Sequence, residues 1–353
     1  MGTIIKGSGS YIPSNEVTNT SFSENPFFME DGKRVPGDNT MFINKFEEIT
    51  GIQSRRYVSE DELNSKIAFI AAHKAILNAD IDPETIDSIV VAHNFEDVIT
   101  GTNQTDIMPS IAARVKHHLG IKNPNCVAHD IIFGCPGWLQ AMIHAHMFIS
   151  GGFYKRCLII GSEVLSRVLD PYDRDTMIFV DGAGATVLEH HDSDKGVLAF
   201  GALSHTEDEL NYLGMGPSFN RFNDNTTRYV KMQGRKIYEY ARSQVPAAMK
   251  DCLDKSGKSI DDLSKILIHQ ANEKMDEAII KRFYRAYGIK DVPQDIMPMT
   301  IARLGNSSVA TIPTLYDLII RGELEGHTIS SGDCLMFASI GAGMNINALV
   351  YQV

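Results

Sequence analysis

The 353-residue chain has a single tryptophan, no C-x-x-C pair, and no apolar run that approaches the ~20 residues of a membrane span. The missing C-x-x-C spacing argues against a zinc or dithiol redox site, and an odd set of five cysteines (Cys126, Cys135, Cys157, Cys252, Cys334) points to reduced thiols in a cytoplasm. Positive charge is scarce: 33 Lys and Arg against 44 Asp and Glu give a net charge of -11. Nucleic acid and anionic membranes are therefore poor partners for the surface as a whole, and an acidic partner needs a local basic patch. The opening MGTIIKGSGSYIP carries one lysine, no long apolar core and no small-residue cleavage site, so it does not read as a signal peptide. Neither GSGSYI nor GAGATV completes a dinucleotide fingerprint. The adjacent pairs His117/His118 and His190/His191 diverge in direction and make no metal site.

What the chain does have is a 43% apolar composition and strands alternating with helices, twice over. Segments 86–94, 126–134, 155–163 and 184–190 read as strands, with helices predicted over 107–120 and 136–152. The second half repeats the scheme, with helices predicted over 232–257, 272–288 and 307–324 and strands at 263–271, 334–341 and 344–353. GAGATVL at 182–188 recurs as GAGMNINALV at 341–350, and CLIIG at 157 recurs as CLMFASIG at 334. Similarity at half-chain distance predicts a duplicated α/β fold, with halves at 1–190 and 191–353. Residues 21–40 are polar and rich in turn formers, and read as a surface excursion.

Three segments carry chemistry. Cys135 follows an apolar strand and Gly134 and precedes Pro136, which is favoured at a helix start, so the thiol is expected at a helix N-terminus with a lowered pKa. A small buried core cysteine is the competing reading. His269 ends the apolar run ILI and precedes Asn272, a candidate cap for the next helix; taken alone, it reads more readily as a satisfied core histidine than as a donor or base. Asn306, between Gly305 and two serines, reads as a helix cap that also faces the space beyond the helix end. A thiol, an imidazole and a carboxamide together are the parts of an acyl-transfer site: the thiolate attacks a thioester, and the other two donate to the oxygen on which charge builds. GAGM at 341–344 is either a plain turn or the source of a backbone N–H, at Ala342, that holds an oxyanion together with the N–H of Cys135. Such donors supply the charge stabilisation without a metal or other cofactor.

In order and spacing these motifs resemble the β-ketoacyl-[acyl carrier protein] synthase III family of thiolase-fold condensing enzymes. The resemblance runs from Gly7, Gly9, Tyr11 and Pro13 through TGIxxR at 50–55, MPS at 108–110, DPYDRDT at 170–176 and MQGRKIY at 232–238 to HQAN, GNSS and GAGM. It implies a five-layered αβαβα fold, a homodimer, and a decarboxylative Claisen condensation between an acyl group on Cys135 and a malonyl-type thioester, in the initiation of fatty-acid biosynthesis. The substrates would be coenzyme A or phosphopantetheine thioesters. By the same resemblance His269 and Asn306 polarise the malonyl thioester, and Arg174 and Arg235 meet coenzyme A. Met108 reaches across the dimer to the acyl pocket, and Lys274 and Lys236 dock the acidic carrier protein.

The chain departs from that pattern before TGIxxR, where Lys45 and Ile49 replace the tryptophan and arginine that clamp coenzyme A, and at bulky Phe133 and Trp138 around the cysteine. Those departures favour a related condensing enzyme of secondary metabolism, of the dialkylresorcinol or quinolone type, as the alternative. A hydroxymethylglutaryl-type or head-to-head condensing enzyme would need a glutamate base near Cys135, and Glu96 and Glu163 sit in no such motif. The rival of another class is a non-catalytic acyl-thioester-binding module, against which the intact Cys-His-Asn set argues.

Overall fold

The computed structural model describes residues 2–222 and 226–353. One sheet contains β1 (Gly2–Tyr11), β2 (Ser88–Ala92), β3 (Val127–Ile131), β4 (Arg156–Val164) and β5 (Asp181–His191), in the order β1-β5-β4-β2-β3. The other contains β6 (Gly196–Ser204), β7 (Leu263–Ile268), β8 (Cys334–Gly341) and β9 (Asn345–Gln352), in the order β6-β9-β8-β7. Directions match as well: β1/β5 and β6/β9 are antiparallel, as are β5/β4 and β9/β8, while β4/β2 and β8/β7 are parallel. Only the first sheet has a fifth strand, β3, parallel to β2. Its place in the second sheet falls to residues 296–300. There Ile266 N donates to Ile296 O at 2.7 Å, but Pro298 has no N–H with which to continue a ladder.

The helices complete five layers. They are α1 (Asn39–Thr50), α2 (Asn64–Ala79), α3 (Ile111–His118), α4 (Gly137–Ser150), α5 (Gly234–Ser256), α6 (Glu273–Arg285), the short α7 (Ile301–Leu304) and α8 (Thr311–Ile320). α2 and α3 cover the outer face of the first sheet, α5 backed by α6 covers the second, and α4 and α8 lie between the two. That central position explains why α4 is apolar on most faces: Trp138, Leu139, Met142 and Ile149 share a core with Phe337 and Leu349 of the opposite sheet.

Two helices are shorter than their sequences suggest. α3 begins only at Ile111, where Ser110 Oγ accepts from Ala113 N at 3.3 Å, because Pro109 precedes that cap. In place of one helix over 307–324 there is a 3₁₀ turn (Ser308–Ala310) followed by α8, which stops at Ile320 before Gly322 takes φ 69°. The excursion at 21–40 holds little regular structure before α1, which Asp38 caps by accepting from Thr40 N at 2.9 Å. It is pinned where Phe28 N donates to Tyr172 O at 2.8 Å.

Candidate active site

Cys135 sits on the turn between β3 and α4, with Pro136 in the N-cap place and Gly137 as the first helical residue. The turn is pressed against the end of β8. A Cβ on Gly134, whose φ is 66°, would lie 2.6 Å from Ala342 N, and a Cβ on Gly341 would lie 2.3 Å from Cys135 N. Only glycine permits this approach, and it brings the N–H groups of Cys135 and Ala342 to one place. The expected lowering of the thiol pKa is not found. Burial pushes Cys135 up to about 11, against a hydrogen bond from Ser308 that lowers it and the charge of Glu163 that raises it further. Trp138 does not crowd the thiol: its ring points into the central core against Phe337 at 6.0 Å.

Asn306 is fixed from both sides. Its N–H donates to Ile178 O and its carbonyl accepts from Val180 N, each at 3.0 Å, so the loop is stitched to the segment just before β5. Asn306 Oδ1 accepts from Ser308 N at 2.8 Å, which leaves the amide N–H₂ as the free end of the side chain. Ser308 in turn directs its Oγ to Cys135 Sγ at 3.3 Å. Sequence reasoning passed over Ser308, although its place two residues after Asn306 is the offset at which an Asn side chain meets a backbone N–H.

His269 follows β7 and is held by its N–H donating to Ala338 O of β8 at 2.8 Å. Gln270 locks the same turn by donating to Pro298 O and accepting from Thr300 N, and Asn272 caps α6 by accepting from Met275 N at 3.0 Å. The imidazole is fully buried without a charged partner, and burial lowers its pKa to about 4. It is therefore neutral across the physiological range.

An apolar cavity of about 200 Å³ adjoins the thiol. Gly134, Cys135, Ser308 and Ala342 form its polar end, and Phe95, Leu165, Phe179, Leu213, Met215 and Val230 form its walls. A second cavity, of about 480 Å³, is lined by Lys45, Ile49, Arg174, Ala271 and Asn272. Phe42 is a lining residue that sequence reasoning missed: the Arg174 guanidinium lies over its ring at 4.9 Å, so an aromatic plane stands at this mouth despite the absence of a tryptophan there. Lys274 shares Glu48 with Lys45, Arg235 is exposed and paired with Glu239, and Lys236 lies over the Tyr212 ring at 5.1 Å. Met108 is 79% exposed. Among the other cysteines, Cys126 lies in the bend before β3 rather than in a strand, and all four are buried away from both cavities.

One cluster of potential ligand atoms occurs among the described residues: His93, Glu96 and Asp130. Asp130 is already committed. It accepts from Ile111 N and Ala112 N at the start of α3 and from His93 Nε2 at 2.9 Å, while Glu96 meets the same nitrogen at 3.3 Å. Burial pulls His93 down, but the two carboxylates more than offset it and raise the pKa to about 9. The cluster is an imidazolium held between two acids.

Comparison with known proteins agrees with this geometry. The sequence profile of 3-oxoacyl-[acyl-carrier-protein (ACP)] synthase III matches residues 129–205, and that of its C-terminal part matches residues 253–353. The β-ketoacyl-[acyl-carrier-protein] synthase III of Erythrobacter litoralis is 32% identical over 349 residues, covering 98% of this chain and 97% of that protein. That of Staphylococcus haemolyticus is 31% identical over 353 residues, covering 100% and 99%. The crystal structure of the Aquifex aeolicus VF5 3-oxoacyl-[acyl-carrier-protein] synthase III superposes with a TM-score of 0.82 at 27% identity, each chain covered in full. The chain belongs to the β-ketoacyl-[acyl-carrier-protein] synthase III family, condensing acyltransferases of fatty-acid biosynthesis.

Proposed function

We propose that Cys135 is the residue that carries the acyl group in this condensation. Its sulfur attacks a coenzyme A or carrier-protein thioester, the N–H groups of Cys135 and Ala342 hold the oxyanion, and the carrier thiol departs. A malonyl-type thioester then binds, and the bond to its carboxylate breaks with loss of CO₂. The electron pair passes into an enolate held by Asn306 Nδ2 and the N–H of neutral His269. The enolate carbon attacks the acyl-enzyme carbonyl, and collapse of the adduct expels the Cys135 thiolate and releases the β-ketoacyl product. The observation that carries this reading is the meeting of Cys135 with the Asn306 loop, through Ser308, at the end of an apolar cavity. At about 200 Å³ that cavity has room for an acyl group somewhat larger than benzene, which a cavity of about 150 Å³ accepts.

The partner surfaces belong to the same proposal. Arg174, with Phe42, and Arg235 receive coenzyme A, and Lys236 and Lys274 meet an acidic carrier protein, with Lys274 and Arg235 already partly neutralised by Glu48 and Glu239. β3 is an unpaired edge, and Val127 and Ile132 are exposed there, which supports pairing with a second copy at this edge; Met108 is exposed as well. The duplicated halves divide at 190/191, at the last residue of β5. No helix of the described residues is long and apolar enough to cross a membrane, and the five unpaired cysteines support a cytoplasmic setting.

Mass spectrometry after incubation with acyl-CoA thioesters of graded length tests the reading. One acyl adduct, mapped to the Cys135 peptide and lost in Cys135→Ala, is expected. An adduct on Cys126 or Cys157, or none with any donor, would overturn it.

A further inference from the structure

Glu163 is fully buried in β4, in a strand that after Arg156 is otherwise apolar and small residues, and the steps above give it nothing to do. Its carboxylate accepts from Asn94 N at 3.1 Å, from Phe95 N at 3.3 Å and from Asn94 Nδ2 at 2.6 Å. The second hydrogen of the same Asn94 amide points to Ser308 Oγ at 3.0 Å, and Ser308 Oγ lies 3.3 Å from Cys135 Sγ. Each link fixes the direction of the next. Burial raises the Glu163 pKa to about 7, and in the ionised form above that pH the carboxylate only accepts, so the Asn94 N–H₂ faces both Glu163 and Ser308. With its lone pair engaged by that amide, the Ser308 hydroxyl turns its hydrogen to the sulfur.

The backbone favours the same outcome at some cost, since Ser308 is a non-glycine residue at φ 53°. That conformation lets one residue present its N–H to Asn306 and its hydroxyl to Cys135.

We propose that Ser308 is a catalytic hydrogen-bond donor to the Cys135 thiolate, and that Asn94 and Glu163 are positioning residues that hold its hydroxyl in the donating direction. The inference rests on Cys135 as nucleophile and adds what makes its anion accessible in a dry site. When the acyl group is transferred, the C–S bond to Cys135 forms as the bond to the carrier sulfur breaks, and the proton lost from Cys135 ends on the departing carrier thiol. Throughout, Ser308 keeps its own proton. Other titratable groups on the elements around the thiol are His93 with Glu96 and Asp130, beyond Asn94, and His269 at the end of β7. The proposed variants leave these groups unchanged.

The test is the pH dependence of Cys135 alkylation by iodoacetamide, read by peptide mass spectrometry beside the thermal unfolding midpoint. Ser308→Ala should move the alkylation pKa upward by about one unit or more, the expected loss of a charge-assisted hydrogen bond. Ser308→Gly removes the same hydroxyl while suiting the left-handed backbone, and should give the same shift if the alanine variant fails to fold. Asn94→Leu should shift the profile by a smaller amount, and should add nothing in the Ser308→Gly background, because it acts through Ser308. An unchanged alkylation profile in Ser308→Gly, or additive shifts from Asn94 and Ser308, would overturn the proposal. Alkylation does not depend on any acyl donor, so such a result would stand apart from a failure of Cys135 to accept an acyl group.

Discussion

β2 and β7 hold the same place in their sheets, and each ends on a histidine followed by a carboxamide: His93 and Asn94 in one, His269 and Gln270 in the other. Both rings are buried, yet one is raised to about 9 and the other lowered to about 4. Desolvation pulls both down. The difference is two carboxylates: Glu96 and Asp130 face His93, whereas the turn beyond β7 is held by Gln270 and no acid reaches His269. The same strand position in the two sheets thus carries a charged imidazole that binds elements together in one and a neutral imidazole in the other, proposed above to donate to a substrate. The next helices follow suit. The start of α3 is plugged by Asp130, whereas that of α6 is capped by neutral Asn272 and borders the second cavity.

The sharpest break in this pairing should come at His269. His269→Ala or Asn306→Ala is expected to slow malonyl decarboxylation by about 10² to 10³-fold, the usual cost of an oxyanion donor, while self-acylation of Cys135 persists. Measuring CO₂ release and acyl-enzyme formation separately checks this, and loss of acylation with decarboxylation intact would reverse the assigned roles.

A smaller effect belongs to His93. Asp130→Asn should lower stability by about 2 kcal/mol, less than for a fully broken buried pair because Glu96 remains. The two rings also predict opposite pH limbs. For His93 the folded pKa is the higher, so its contribution is complete below the ordinary value of about 6.5 and fades as pH rises through about 9. For His269 the folded pKa is the lower, so its contribution is complete above about 6.5 and fades as pH falls through about 4. Denaturant titrations of His93→Asn and His269→Gln across this range should flatten the alkaline limb and the acid limb respectively. The reverse pattern would break the comparison.

The smallest change is expected at the rim of α6. Lys274→Glu should raise the apparent KM for a carrier-protein thioester several-fold, roughly 1 kcal/mol for a surface charge, with little effect on a short pantetheine thioester. Equal losses with both substrates would move carrier docking elsewhere.

Two members of the proposed catalytic set stand out in the sequence because they sit where a strand ends, and strand ends are marked by apolar runs and turn residues. Cys135 and His269 follow that rule, whereas Asn306 comes after the short α7 and is marked instead by Gly305 before it and two serines after it. The repeat of CLIIG as CLMFASIG also carries through, since β4 and β8 occupy equivalent places. Ser308, Asn94 and Glu163 were not readable as a chain, because their links join residues 69, 173 and 214 positions apart. In the repeat, Glu163 aligns with Ile340, so the acid is a departure from the duplicated pattern rather than part of it. The thiol pKa was misread for a related reason: a helix start is local and visible, whereas the burial that overrides it comes from the whole of the opposite sheet.

The close approach of Gly134–Cys135 to Gly341–Ala342 also fixes when the enzyme becomes an enzyme. Synthesis delivers the nucleophile early, at residue 135, but Ala342, which carries the second backbone donor, comes almost last of the 353 residues. On the proposed roles, a chain that stops before residue 341 carries the thiol without the second backbone donor, so acyl transfer to Cys135 waits for the C-terminal strands.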